Sequence, residues 1–175
     1  MSRAFLSPSR CGEGTTTSPL RRALDGADPA AVRDLSLAGI VEIRGDVAAV
    51  VAGAGEELVT LSPRRAFLFT GDDPADVAAR VRATGVRAYD ATGALAGIAI
   101  ASEQVVRRLT DLDLDSIPTA GPFARVTALF RREDGWIHVH VAQELGHYVA
   151  EAVLDTLAGL DTSGDLPPDL TPPQR

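Results

Sequence analysis

Asp34-Leu35-Ser36 followed by Gly39-Ile40-Val41-Glu42-Ile43, and Asp90-Ala91-Thr92 followed by Gly97-Ile98-Ala99-Ile100, are the two stretches that decide the fold. Each couples Asp-x-Ser/Thr to a glycine-led apolar run, at an offset of 56 residues for the Asp and 58 for the Gly. Short oxygen side chains bond nearby backbone N–H groups, so the tripeptide is expected to fix the bend that enters a strand. Both copies lead into the same order of elements: strand, short helix, hairpin, longer helix. The agreement in order as well as in letters reads as a duplication.

Working outward from the first copy, Gly39 to Gly45 alternates as a strand, and Asp46 to Ala52 gives a short helix with apolar Val47, Val50 and Val51. Glu57 to Leu61 and Ala66 to Thr70 form a hairpin across Ser62-Pro63-Arg64-Arg65, where proline favours a turn. Asp73 caps a helix whose first position is Pro74, and Val86 to Tyr89 is a short strand. In the second copy, Leu95 to Ala101 is a strand, Ser102 to Leu109 a helix capped by Ser102, and Phe123 to Arg131 one long strand. Glu133-Asp134-Gly135 turns the chain into Trp136 to Val141, because Asp-Gly suits the tightest hairpins. The last helix runs from about Gln143 to Leu160 on a stripe of Leu145, Val149, Val153, Leu157 and Leu160, with Gly146 weakening its first turn.

The predicted fold is therefore α+β, as two tandem ferredoxin-like halves. The expected division is a flexible N-terminal tail over 1–18, a first half over 19–88, a second over 89–160 and a proline-rich tail over 161–175. With 45% apolar, 23% charged and 5% aromatic residues, the 175-residue chain belongs to the globular class. Its positive charge is all arginine, and a net charge of −7 without a basic stripe argues against a nucleic-acid partner. The pairs Arg21/Arg22, Arg64/Arg65, Arg107/Arg108 and Arg131/Arg132 read as solvated faces or partner contacts. The single Cys11 forms no internal disulfide, and neither a signal segment nor a spanning helix is visible, so a cytoplasmic, non-membrane protein is expected.

Each candidate for chemistry has a plainer explanation. His138 and His140 share a strand face with Trp136, and His147 follows on the last helix; zinc would need all three rings about 2 Å from one ion, whereas simple alternation predicts an exposed polar face. Asp111, Asp113 and Asp115 have the spacing of a calcium loop, but Ser116 stands at its glycine position and Pro122 at its bidentate glutamate. Gly53-Ala54-Gly55 lacks the rest of a dinucleotide fingerprint and reads as a helix stop, and no Gly-x-Ser-x-Gly occurs. No catalytic, cofactor-binding or metal-ligating residue is assigned.

The paired Asp-x-Ser/Thr and glycine-led strands resemble the folate-binding domain of the glycine-cleavage aminomethyltransferase family. Chain length, Thr17-Ser18-Pro19-Leu20, Leu61-Ser62-Pro63 before an apolar strand, and Leu112-Asp113-Leu114 after the second short helix resemble the gamma subunit of heterotetrameric sarcosine oxidase over roughly residues 17–160. At Arg64-Arg65-Ala66 the sequence departs from the gamma pattern, which has an acid and a Trp there. The Lys-Gly-Cys signature of the superfamily's iron–sulfur-assembly branch is absent, since the chain has no Lys.

The resemblance implies a subunit with no active site and no cofactor of its own, packed on a larger flavin-bearing chain. FAD, FMN, NAD and tetrahydrofolate would belong to the partners, in a complex that oxidatively demethylates sarcosine or a related N-methyl amine and passes the one-carbon unit to tetrahydrofolate. The alternative is a free-standing folate-binding protein, for which Asp34 and Asp90 would be the acids to consider by family analogy. A subunit role also fits the expectation that Phe67, Phe69, Phe123, Phe130 and Trp136 cannot all be covered by short helices and leave apolar surface outside. Thr17 to Leu24, with Leu20 and Leu24 as anchors, is the expected arm toward a partner.

Overall fold

A computed structural model describes residues 18–161, in which an irregular segment leads into strand β1 (Val32–Asp34). The chain continues through β2 (Gly39–Arg44), a 3-10 turn at Val47–Ala49, β3 (Glu57–Ser62), β4 (Arg65–Thr70), helix α1 (Pro74–Arg82) and β5 (Arg87–Asp90). A second series comes next: β6 (Leu95–Ile100), α2 (Glu103–Leu109), β7 (Thr119–Phe123), β8 (Val126–Glu133), β9 (Trp136–Ala142) and α3 (Gly146–Asp161). The fold is mixed α+β with two antiparallel sheets, ordered β3-β4-β2-β5 and β1-β6-β9-β8-β7.

Alternation along the strands explains the layering, because side chains two apart share a face. Val41, Ile43, Ala66, Leu68 and Ala88 of the four-stranded sheet pack against Val77, Ala78 and Val81 of α1. Ala96, Ile98, Ile137, Val139 and Val141 of the five-stranded sheet pack against Val105 and Val106 of α2 and Val149 and Val153 of α3. The opposite faces meet each other, with Ile40, Val59, Phe67, Phe69, Leu95 and Leu129 forming a third apolar cluster between the sheets. The helices thus lie outside and the sheets inside, and β6 is buried on both faces.

Several local expectations hold. Asp73 Oδ1 accepts from Ala75 N at 2.8 Å with Pro74 beginning α1, and Ser102 Oγ accepts from Val105 N at 3.4 Å at the start of α2. The Asp134-Gly135 turn has both residues at positive φ, 49° and 82°, as a two-residue hairpin requires.

Others need correction. The region read as one strand from Phe123 is two, since the chain reverses at Ala124-Arg125 with φ of 45° and 68°. Neither residue favours that conformation. The turn is held from outside, where Ala124 N donates to Leu109 O at 2.7 Å and Tyr148 Oη donates to Ala124 O at 2.9 Å. The short helix after Gly45 is a single 3-10 turn, and the last helix begins with a 3-10 turn at Gln143–Leu145. Strand β1 has no counterpart among the elements expected from sequence, and its pairing with β6 puts Val32–Asp34 in the sheet built mainly from residues after 94.

The five aromatic residues expected to leave apolar surface outside do not supply it, although Leu37, Val51, Tyr89 and Tyr148 are exposed among the described residues. Phe67, Phe69, Phe123 and Phe130 are buried and Trp136 is half-buried, because sheet packs on sheet and only the outer faces rely on helices. Leu20 is 1% exposed and belongs to the chain's own core, with Leu24 packed beside it, so the supposed anchors are already in use. The expectations for the tails, Cys11 and Thr17 lie outside the described residues, apart from Ser18 and Asp161 at their edges.

Candidate functional site

The two Asp-x-Ser/Thr segments are where the chain passes from one sheet to the other. Asp34 ends β1, which pairs with β6; the chain then enters β2 in the other sheet. Asp90 ends β5, which pairs with β2; the chain then enters β6. Both crossings use the same bonds. Asp34 Oδ1 accepts from Ser36 N and Asp90 Oδ1 from Thr92 N, each at 2.9 Å. Ser36 Oγ accepts from Gly97 N and Thr92 Oγ1 from Ile40 N, each at 3.2 Å. Leu35 N donates to Gly97 O and Ala91 N to Ile40 O, each at 2.8 Å.

These bonds make Gly97 the counterpart of Ile40, one residue along from the Gly39 match suggested by letters alone. The reason for a glycine at 97 is local: an added Cβ would lie 2.7 Å from the His140 ring and 3.0 Å from Leu35 O. The Asp34 and Asp90 side chains each hold a backbone N–H of the crossing, which is the bend-fixing role expected of the motif.

Between the sheets, His140 of β9 stands opposite Gly97 of β6 and meets Phe69 of β4, ring centroids 4.6 Å apart. Arg131 of β8 lies over the Phe69 ring at 4.5 Å and forms an ion pair with Glu57 of β3, tying one sheet to the other. Glu133 Oε2 is 3.6 Å from both Arg131 Nη2 and His138 Nδ1. The expected exposed histidine face is thus an error: His138 is 8% and His140 1% exposed, because the second sheet covers the side that alternation alone assigns to solvent.

Burial has electrical consequences here. Loss of water, then the neighbouring Arg131 and His138, hold the His140 pKa down to about 3. His138 is lowered as well, chiefly by burial, then by Arg131, with Glu133 and Glu57 opposing. Among the described residues, neither His140 nitrogen has a hydrogen-bond partner, nor does His138 Nδ1. His147 is far more exposed and pairs with Glu151 at 3.1 Å. Among the described residues, no three His, Cys, Asp or Glu side chains converge as metal ligands. Asp113 Oδ1 accepts from Asp115 N at 3.1 Å to begin a 3-10 turn, and Gly53 N donates to Glu56 Oε2 at 2.6 Å in the loop before β3.

The inter-sheet region opens to solvent in two places that share Glu133. The larger, about 570 Å³, has Gly39, Phe69, Thr70, Asp72 and Arg131 in its wall. The smaller, about 210 Å³, lies beside His138, Trp136 and Arg33, whose guanidinium is 4.0 Å from the Trp136 ring.

This sheet-on-sheet arrangement recurs in a solved structure. A chain of the heterotetrameric sarcosine oxidase from Corynebacterium sp. U-96, solved in complex with pyrrole 2-carboxylate, matches with a TM-score of 0.69 at 12% identity. The fold is that of a sarcosine oxidase chain. The likeness covers 82% of this chain and 95% of the sarcosine oxidase chain, so the latter is the shorter of the two and is matched nearly whole. No protein-family model matches the sequence, and no curated protein matches it. No helix among the described residues is long and apolar enough to cross a membrane.

Proposed function

We propose that this chain is a non-catalytic, gamma-type subunit of a sarcosine oxidase-like flavoenzyme. The observation that carries the reading is the near-complete correspondence with one small chain of a heterotetrameric oxidase. A large catalytic subunit would be matched over only part of its length. In this reading the partners are larger flavin-bearing chains that hold FAD, FMN, NAD and tetrahydrofolate, and the complex is cytoplasmic. It oxidatively demethylates sarcosine or a related N-methyl amine, with the one-carbon unit going to tetrahydrofolate.

The reading includes a duplicated origin. The strand orders and the twin sets of crossing bonds support two copies of one ferredoxin-like unit, with halves at 19–88 and 89–160 that meet within β5, while β1 lies in the sheet of the second half beside β6. This placement of β1 ties the halves together, which suits a rigid scaffold in an assembly.

One observation favours the second reading, a free-standing folate-binding protein. The 570 Å³ opening has an aromatic ring, a cation and polar groups in its wall and falls in the size range of small-molecule sites. Affinity capture of the tagged chain from its own cells separates the two. The subunit reading expects a larger yellow flavoprotein in stoichiometric yield and no saturable tetrahydrofolate binding by the isolated chain. Capture of no flavoprotein, with micromolar tetrahydrofolate binding by the chain alone, would reverse the assignment.

A further inference from the structure

At one end of the four-stranded sheet, three arginines stand side by side on neighbouring strands: Arg87 of β5 pairs with Arg44 of β2, which pairs with Arg65 of β4. Like charges directly opposite on adjacent strands are only about 5 Å apart at Cβ and destabilise a sheet. Arg64 in the adjoining turn completes a group of four in the wall of one opening of about 510 Å³, which also includes Gly45, Asp46 and Gly85. The remainder of the molecule is acidic, with a net charge of −7 for the whole chain, so this concentration runs against the general charge.

The cluster is ordered on one side and unsatisfied on the other. Glu42 Oε1 accepts from Arg44 at 2.9 Å and Arg65 at 2.8 Å, and Arg65 also lies over the Phe67 ring at 5.3 Å. Glu42 thereby orients two guanidinium groups while neutralising one charge. Arg64 and Arg87 have no ion pair among the described residues, and the Asp46 carboxylate is engaged with Ala48 N at 3.2 Å. Gly45 and Gly85, at φ of 135° and 89°, leave the rim without side chains, so a ligand can approach the backbone closely.

We propose that this opening binds a small anion carrying two or more phosphate or carboxylate groups. Guanidinium groups give forked, charge-assisted hydrogen bonds to both kinds of oxyanion. Four guanidinium groups against the Glu42 and Asp46 carboxylates leave an excess of two positive charges, which a multivalent anion balances and a single charge does not. The inference stands independently of the subunit reading.

The test is calorimetric titration of the full chain at constant ionic strength with inorganic pyrophosphate, with tricarballylate and with a hexaglutamate peptide. The small-anion site predicts saturable one-to-one binding of pyrophosphate or tricarballylate with Kd below about 1 mM, the two arms telling phosphate from carboxylate. Arg64→Gln with Arg87→Gln should weaken binding at least about tenfold, and Arg21→Gln with Arg22→Gln, which removes equal charge elsewhere, should not. Arg87→Gln alone should keep or gain thermal stability, since it relieves the row. Absence of saturable binding by both small anions, equal losses in both double variants, or saturable binding of the peptide alone would overturn the proposal.

Discussion

Phe69 and His140 pack ring against ring across the two sheets, centroids 4.6 Å apart and planes inclined at 52°. They hold corresponding places: Phe69 pairs with Ile40 across β4 and β2, and His140 with Gly97 across β9 and β6, the two residues whose N–H groups donate to Thr92 Oγ1 and Ser36 Oγ respectively. One side of this contact is hydrocarbon and the other is an imidazole without a hydrogen-bond partner, which makes it sensitive to acid.

His140 is held down to a pKa of about 3, against 6.5 for an ordinary histidine. The unfolded chain therefore binds more protons between those values. The stability contribution is complete above pH 6.5 and lost progressively as pH falls toward 3, with His138 adding in the same direction. Urea unfolding of His140→Leu should show a shallower loss from pH 6.5 to 4 than the parent chain. At pH 7.5 the variant should be equally stable or gain about 1 kcal/mol, because two orphaned nitrogens are removed.

Ser36 is 2% exposed and its hydroxyl satisfies a buried N–H of Gly97, while Thr92 performs the matching task at a half-buried position. Ser36→Ala should cost about 1–3 kcal/mol, and Thr92→Ala less, because Thr92 stands in the wall of the 570 Å³ opening and its truncation lets water approach the otherwise buried Ile40 N–H. Denaturant melts of the two single variants compare them directly.

Leu20 lies over the start of α3, where a Cβ on Gly146 would come within 2.5 Å of Ala96 Cβ and 2.9 Å of Leu20 Cδ2. Leu20→Ala should destabilise the isolated chain by about 2–5 kcal/mol. Gly146→Ala should also destabilise it, by about 1–3 kcal/mol, despite alanine's better helix propensity. Thermal melts without any partner present decide this, and a neutral Leu20→Ala would return the segment to the role of a docking arm.

The elements themselves are largely legible in the sequence because they announce themselves locally: Val41 and Ile43 alternate, Asp73-Pro74 begins a helix, and Asp134-Gly135 makes a turn. The site is not, because its character comes from contacts distant in sequence. Trp136, His138 and His140 alternate with apolar residues like any half-exposed strand, and it is Phe69 of β4, about seventy residues earlier, that packs against His140. Likewise β1 is three residues long and carries Arg33 and Asp34, so nothing in its composition reveals a partner in β6. The Ala124-Arg125 reversal depends on Leu109 and Tyr148, which local turn preferences do not include. Arg44, Arg65 and Arg87 become a row only through strand order.

A subunit of a larger flavin-bearing assembly, as proposed for this chain, is recoverable with its partners. Native mass spectrometry of the untagged protein, isolated from its own cells under mild conditions, reads this out. The expected species is a defined hetero-oligomer in which one copy of this chain accompanies a larger subunit and bound flavin. A monomer at 18.3 kDa, with no larger chain and no flavin in any species containing it, would contradict the subunit reading.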